Sequence, residues 1–356
     1  MKKPSLRTLF LILSLLLSIL GIIFVFESSV AESYREFSEA YHYVRLQSIR
    51  LFIGIIAMFI FSFIPTSVFK KFSLPFYLLS VAILLATLIP GFGVEIHGAK
   101  RWLAFGNFYF QPVEILKLSL ASYFASWMSK HQRLPPFLLL LGVPALILIL
   151  QPDLGSILVL LSIAFAMYFA AGAKLNKFLG LIMAGVILLS FAILSSDYRK
   201  KRLMTFLDPT LDPLGASFHI RQITLALGGG SWFGQGIGKS RQKYAYIPES
   251  STDSIFAIIA EEIGFFGSTI ILFLFASYVH LGFKMVRKQK NNKFNYLFGI
   301  GLLIWVSSQI LLNLAAVVAL VPLTGLPLPF FSYGGSSLIM ILIATGIILG
   351  LSKKKT

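Results

Sequence analysis

Three clusters of polar residues in an otherwise apolar chain have side-chain types and spacings that could do chemistry. The most informative is Tyr246-Ile247-Pro248-Glu249-Ser250-Ser251-Thr252-Asp253, which leads into a long apolar run carrying Glu261 and Glu262. A carboxylate in that position can take a proton from an attacking hydroxyl. As a bare pattern, Thr252-Asp253 reads as a helix cap before it reads as a base, because the helix dipole favours an acidic first turn. The second cluster runs from Gly98-Ala99-Lys100-Arg101-Trp102 to Gln111-Pro112-Val113-Glu114 and Lys117. Proline at a first helical position sets Gln111 at the mouth of a helix, and a spacing of three puts Glu114 and Lys117 on one face. This pair is either a structural ion pair or, with Lys100 and Arg101, part of a cationic seat for a phosphate; Trp102 would anchor the loop at a membrane interface. The third cluster, Gln151-Pro152-Asp153-Leu154-Gly155, is a tight joint between two apolar runs, where Asp153 either caps the following helix or meets a head group.

The elements that must position these residues follow from composition. In 356 residues, 57% are hydrophobic and 13% charged, against about 25% charged in ordinary globular domains. With a mean hydropathy of +0.83, a soluble enzyme is excluded and the solvent for most of the chain is lipid. A hydrocarbon core of roughly 30 Å needs about 20 apolar residues per helix. Ten runs qualify, near 8–26, 46–64, 72–90, 111–128, 136–150, 154–171, 178–195, 253–283, 296–318 and 336–351. The first has no small-residue cleavage site before Glu27, so it reads as a span and not as a signal peptide. The expected fold class is therefore an all-α, polytopic membrane protein: one transmembrane domain over 1–356, with a large extracytoplasmic loop at 196–252. Within that loop, the apolar pattern from Leu214 to Leu227 predicts an interfacial or re-entrant helix bearing Arg221 and Gln222. The run at 253–283 is about 46 Å long as a helix, so its first turns must tilt or stand above the lipid.

Charge placement orients the bundle. With both termini in the cytoplasm, 17 of the 31 basic residues, including Lys70, Lys71, Lys284, Arg287 and Lys353 to Lys355, fall inside, while all 14 acidic residues fall on the other side or in the outer half of a span. The net charge of +17 then reflects insertion and anionic inner-leaflet lipids, with no nucleic acid required. Other chemistries drop out. The chain has no cysteine for a thiolate or disulfide. Gly238-Lys239-Ser240 ends like a phosphate-binding loop, but the position of its first glycine is Phe233. His42, His97, His131, His219 and His280 lack metal-ligand spacing. No cofactor is identified, and a divalent cation held by Asp253 or Glu249 has no support in the sequence.

Outward-facing carboxylates with nearby arginines and lysines favour a lipid-borne, phosphorylated substrate. A glycosyltransferase using a lipid pyrophosphate donor needs one base for the acceptor hydroxyl and cations for the leaving group. A lipid flippase would need the same head-group contacts plus polar groups through the inner half of the bundle. Ser307, Ser308, Gln309 and Asn313 keep that alternative open. A non-catalytic scaffold is the third class.

At these residues the chain resembles the SEDS family (shape, elongation, division and sporulation), the RodA/FtsW peptidoglycan polymerases. The resemblance rests on the three clusters together with Gly93-Val94-Glu95, Asp212-Pro213-Leu214-Gly215, Glu261-Glu262-Ile263-Gly264 and Pro327-Leu328-Pro329-Phe330-Phe331-Ser332-Tyr333-Gly334-Gly335-Ser336, in order and over nearly the whole chain. It implies ten spans in the bacterial cytoplasmic membrane, an outward-facing site, and polymerisation of lipid II into a nascent glycan strand with inversion at the anomeric centre. It also implies partners: a class B penicillin-binding protein and other divisome or elongasome membrane proteins. Asp253 matches the family's essential aspartate and takes the role of general base. Arg101, Glu114, Lys117 and Asp153 match positions lining an outer cavity, with Arg221, Gln222, Pro248 and Glu249 in the loop over it; Lys100, Gln111 and Thr252 join them as candidate substrate-binding residues. Arg241-Gln242-Lys243-Tyr244 before Tyr246 and the Gly93-Val94-Glu95 run resemble the division type, FtsW, more than the elongation type, RodA, and sporulation members of the family share these features. The chain departs from the family's pattern at Ser251, Ser254, Ala260 and Val113; the two serines flank the implied base.

Overall fold

A computed structural model of the chain describes residues 4–96, 99–106, 108–131, 133–194, 196–208, 216–243 and 251–352. In order, the helices are α1 (Leu6–Phe37), α2 (His42–Phe63), α3 (Thr66–Lys71) and α4 (Ser73–Ala86), followed by strands β1 (Gly93–Ile96), β2 (Ala99–Phe105) and β3 (Phe108–Phe110). Then come α5 (Pro112–Met128), α6 (Leu134–Leu150), α7 (Leu154–Ala170), α8 (Leu175–Leu194), α9 (Asp197–Leu207), α10 (Ala216–Gly229), α11 (Ile255–Arg287), α12 (Lys293–Val317) and α13 (Gly335–Leu351). Each of the ten apolar runs coincides with a helix. Among the described residues, five helices are long and apolar enough to cross a membrane, and four more are apolar but shorter.

The bundle is built inside out relative to a soluble protein. Helices α5, α12 and α13 are buried along most of their length, whereas α2 and α8 bury only scattered positions. Large side chains such as Phe52 and Phe63 on α2, Leu139 and Leu146 on α6, and Ile187 and Phe191 on α8 are exposed on the protein surface. Such faces are stable only against lipid. Because lipid gives apolar faces no reason to associate, contact depends on close fit. Gly346 and Gly350, one turn apart on α13, supply it against α2: a Cβ at Gly346 would sit 2.1 Å from the Met58 carbonyl oxygen, and one at Gly350 2.8 Å from that of Ser62.

Four features depart from the expected layout. Helix α1 continues past its apolar run to Phe37, since no glycine or proline interrupts residues 22–37, and ends at Ser38 in the left-handed region (φ 55°). The connection after α4, expected as loop, folds as a three-stranded antiparallel sheet in the order β1-β2-β3, with Glu95 paired to Lys100 across the strands. Gly106, at φ 61°, makes the turn between β2 and β3. The long segment after α8 carries a further helix, α9, beside the expected one at α10.

The fourth departure resolves the length of the run at 253–283. Helix α11 is broken at Gly264, where φ 68° and ψ −169° are not helical. Residues 255–263 thus form a short arm and 265–287 the long helix. The break is clamped by the segment after α10: Gln235 and Gly236 donate backbone N–H groups to the carbonyls of Glu261 and Glu262 at 2.9 and 3.0 Å, and Phe265 donates to Ser231 O at 2.9 Å. A Cβ on Gly264 would lie 2.2 Å from the Gly234 nitrogen. Left-handed backbone strain alone costs about 1–2 kcal/mol, so Gly264→Ala is expected to destabilise the protein by at least about 2 kcal/mol, read as a lowered thermal midpoint of the purified protein in detergent.

Candidate functional site

Asp253 stands at the end of the arm, one residue before the N-cap Ser254 of α11. Its side chain is mostly enclosed, with 8% relative exposure. Ser254 Oγ lies 3.3 Å from Asp253 Oδ1 and 2.8 Å from His219 Nε2 on α10. An imidazole N–H donating to the serine, whose hydroxyl in turn donates to the carboxylate, satisfies all three groups.

The backbone around Asp253 is fixed by side chains from distant elements. Asn313 on α12 donates from Nδ2 to Asp253 O at 2.7 Å and to Leu326 O at 2.8 Å. Ser332 donates to Thr252 O and accepts the N–H of Leu328 at 2.7 Å, while Tyr333 N donates to Ser251 O at 2.8 Å. Gln47 of α2 donates to Ser332 O at 3.0 Å. The segment after α12 is therefore stitched to the strand entering α11. On the α1 side, Ser251 Oγ donates to Glu32 Oε2 at 3.4 Å.

Beneath this frame lies the Glu114–Lys117 pair. Both side chains are fully buried, and Lys117 Nζ donates to Glu114 Oε1 at 2.8 Å and to Gln309 Oε1 at 3.1 Å. Trp305 Nε1 also donates to Gln309 Oε1 at 3.1 Å, and Gln309 Nε2 donates to Pro327 O at 3.0 Å. Lys117, a candidate for the cationic seat, is thus enclosed and paired with Glu114, whose Oε2 meets no hydrogen-bond partner among the described residues. The pairing reaches the site, because the same Gln309 holds the 327–332 segment that fixes Thr252.

The remaining candidate residues form a second group. Lys100 is exposed on β2. Arg101 donates from Nε to Gln151 O at 3.1 Å and from Nη2 to Pro152 O, locking the sheet onto the joint between α6 and α7. Asp153 caps α7, accepting Ser156 N at 3.1 Å and Ser156 Oγ at 2.8 Å. Gln111 sits at the N-cap of α5, and its backbone N–H donates to Ser336 Oγ at 3.4 Å. On α10, Arg221 is exposed and Gln222 half-buried. Pro248 and Glu249 lie outside the described residues. Glu261 and Glu262 are occupied in clamping the glycine-rich segment: Glu261 accepts from Ser240 Oγ and Arg241 N, and Glu262 pairs with Lys243 at 3.1 Å. Among the described residues, no three carboxylates or imidazoles are grouped as a metal site.

Sequence reasoning did not assign His219, Gln309, Asn313, Ser332 or Gln47 to the site. The one available signal was cost: Gln309 and Asn313, four residues apart in an apolar helix, must have partners in the protein.

Comparison with known proteins places this geometry. The model of the FtsW, RodA and SpoVE cell cycle proteins matches residues 7–356. The chain belongs to that family. Among curated relatives, stage V sporulation protein E of Bacillus subtilis is 35% identical over 99% of this chain and 98% of its own, and a probable peptidoglycan glycosyltransferase FtsW of Geobacter sp. is 35% identical over 97% and 96%. Among solved structures, a chain from work on polymerization and crosslinking by a peptidoglycan synthase complex superposes with a TM-score of 0.79 at 29% identity, covering 96% of this chain and 95% of that one. The rod shape determining protein RodA of Thermus thermophilus gives 0.71 at 26% identity, covering 96% and 95%. This FtsW/RodA/SpoVE member is thus a multi-pass membrane protein over its matched length.

The buried pair yields a test. Lys117→Met leaves Glu114 enclosed without its cation and is expected to destabilise the protein by about 3–5 kcal/mol. Adding Glu114→Leu should recover most of that loss in thermal unfolding, since no lone charge then remains. Failure of the double variant to recover would assign Lys117 a role outside the pair.

Proposed function

We propose that this chain is a peptidoglycan glycosyltransferase that extends glycan strands from lipid II at the outer face of the cytoplasmic membrane, with Asp253 as general base. The observation that carries the reading is the mounting of Asp253: a mostly enclosed carboxylate whose backbone is held on both sides and whose Oδ1 is oriented by Ser254. A base must be held at hydrogen-bond distance from the hydroxyl it deprotonates, and rigid placement lowers the entropic part of the barrier.

In this mechanism the acceptor hydroxyl of lipid II gives its proton to Asp253 while its oxygen attacks the anomeric carbon at the lipid end of the growing strand. The bond to the pyrophosphate breaks, the anomeric centre inverts, and the lipid pyrophosphate departs. Arginine side chains at the same end of the bundle offset the developing negative charge. The basic segments at Lys70 and Lys293 lie at the opposite end, where Lys70 Nζ stands 5.9 Å from the Phe294 ring centroid; cytoplasmic retention of that end supports an outward-facing Asp253. A class B penicillin-binding protein is the proposed partner, supplying the crosslinking that a polymerase alone lacks.

The transport alternative draws on polar residues in α12, and their bonding argues against it. Ser307 and Ser308 donate to carbonyls of their own helix at 2.7 and 3.1 Å, while Gln309 and Asn313 are committed to the 326–327 backbone. Of these four side chains, only Asn313 keeps a buried atom, Oδ1, without a hydrogen-bond partner among the described residues.

The decisive experiment reconstitutes the protein in liposomes with lipid II and a transpeptidase-dead class B partner. Wild type should make polymer, and Asp253→Asn should lose at least about a hundredfold in rate while keeping its thermal midpoint. Ser254→Ala should lower the rate by roughly threefold to tenfold by releasing the carboxylate's orientation. Polymer from Asp253→Asn at wild-type rate would remove the general-base assignment.

A further inference from the structure

Helix α10 lies along the short arm of α11 that starts beside Asp253. At its far end Gly230 approaches the arm so closely that a Cβ there would sit 2.1 Å from Ala260 O. Positions 219, 223 and 226 of α10 fall on one face at helical spacing, and Ile223 and Ala226 on that face are buried in the core. The stripe thus presents a histidine where an apolar side chain would pack, and an imidazole half-buried at such a place needs a polar partner. Ser254 supplies it, with His219 Nε2 2.8 Å from Ser254 Oγ. Ser254 itself is fully buried, and its Oγ lies 3.3 Å from Asp253 Oδ1. The first distance is that of an ordinary hydrogen bond and the second is longer, so the hydroxyl is held more firmly from the histidine side than from the carboxylate side.

A serine hydroxyl has a single hydrogen to give. With the proton of His219 on Nε2, Ser254 must accept from the imidazole, and its own hydrogen points to Asp253. With Nε2 bare, that hydrogen would be drawn to the ring, and a lone pair would face the carboxylate. The imidazole therefore decides which way the hydroxyl points.

We propose that His219 is a positioning residue for the transfer reaction: it donates from Nε2 to Ser254 and so aims the serine hydroxyl at Asp253 Oδ1, holding the carboxylate in one orientation. The inference rests on the general-base reading of Asp253 and adds to it the group that sets the base's orientation. Ser254 is one of the positions at which the chain departs from its family's pattern, so a relay through its hydroxyl is a device of this chain. Because α10 belongs to the segment that also clamps the break at Gly264, docking of that segment and alignment of the base become one event.

The test follows glycan synthesis from lipid II by the full chain in liposomes with the transpeptidase-dead class B partner. His219→Ala should lower kcat roughly threefold to tenfold, the loss of one oriented hydrogen bond, while KM for lipid II stays within about twofold. His219→Gln, whose amide nitrogen reaches the place of Nε2, should restore most of the rate, whereas His219→Phe, which keeps the ring but has no donor, should remain as slow as His219→Ala. Added to Ser254→Ala, His219→Ala should cost nothing further. Recovery by phenylalanine would make the contact mere packing and overturn the proposal, as would losses from His219→Ala and Ser254→Ala that multiply. If His219→Ala fails to fold, the contrast between glutamine and phenylalanine decides. Wild-type turnover in His219→Ala beside an inactive Asp253→Asn removes the role of His219 alone; wild-type turnover in Asp253→Asn removes the general base itself, so the two failures are separable.

Discussion

Backbone that is neither helix nor closed sheet can sit at membrane depth only if the protein itself satisfies every carbonyl and N–H. The segment between α12 and α13 is such backbone, and the whole candidate site depends on how its hydrogen bonds are met. Asn313 and Gln309 reach it from α12, Gln47 from α2, and Ser332 from within, and two of these side chains, Ser332 and Asn313, also hold the carbonyls of Thr252 and Asp253. One network thus solves two problems. It keeps the irregular loop in place and gives the carboxylate a rigid mount.

The buried ion pair extends this logic downward. A lone Lys117 or Glu114 in the bundle would be severely disfavoured, but Lys117 donates to Glu114 and also to Gln309, so each charge has its counter-charge in place. Because Gln309 accepts from both Lys117 and Trp305 while donating to Pro327 O, the orientation of its amide is dictated from below and transmitted upward. Replacing the pair with apolar residues of similar volume removes one of the two donors to Gln309 Oε1 and leaves Trp305 as the other.

Much of the architecture was legible in the chain because lipid is a demanding solvent: each of the ten apolar runs coincides with a helix, five of them long enough to cross a membrane. The site was legible in part. Asp253 and Asp153 stood out as costly polar residues at the ends of those runs, and Arg101 in the connection between two of them. What remained hidden depends on partners far away in sequence. That Lys117 meets Gln309 as well as Glu114 could not be read, because Gln309 lies 192 positions later. The break at Gly264 is hidden as well, since a glycine in an apolar run is compatible with a continuous helix; only the approach of Gly234 forces the left-handed turn. The sheet could have been read from Gly106-Asn107 between two aromatic-rich segments, a hairpin signal masked by the expectation of a loop.

Helix length adds a final constraint, on the membrane itself. Helices α6 and α7 have 17 residues each, about 26 Å at 1.5 Å per residue, several ångströms less than an average hydrocarbon core. Both meet at the Gln151-Pro152-Asp153 joint, and α6 carries lipid-exposed leucines along its length. A bilayer meeting so short a wall on α6 is matched by local thinning, by snorkelling of Lys130 and Arg133 at its start, or by association with another protein face.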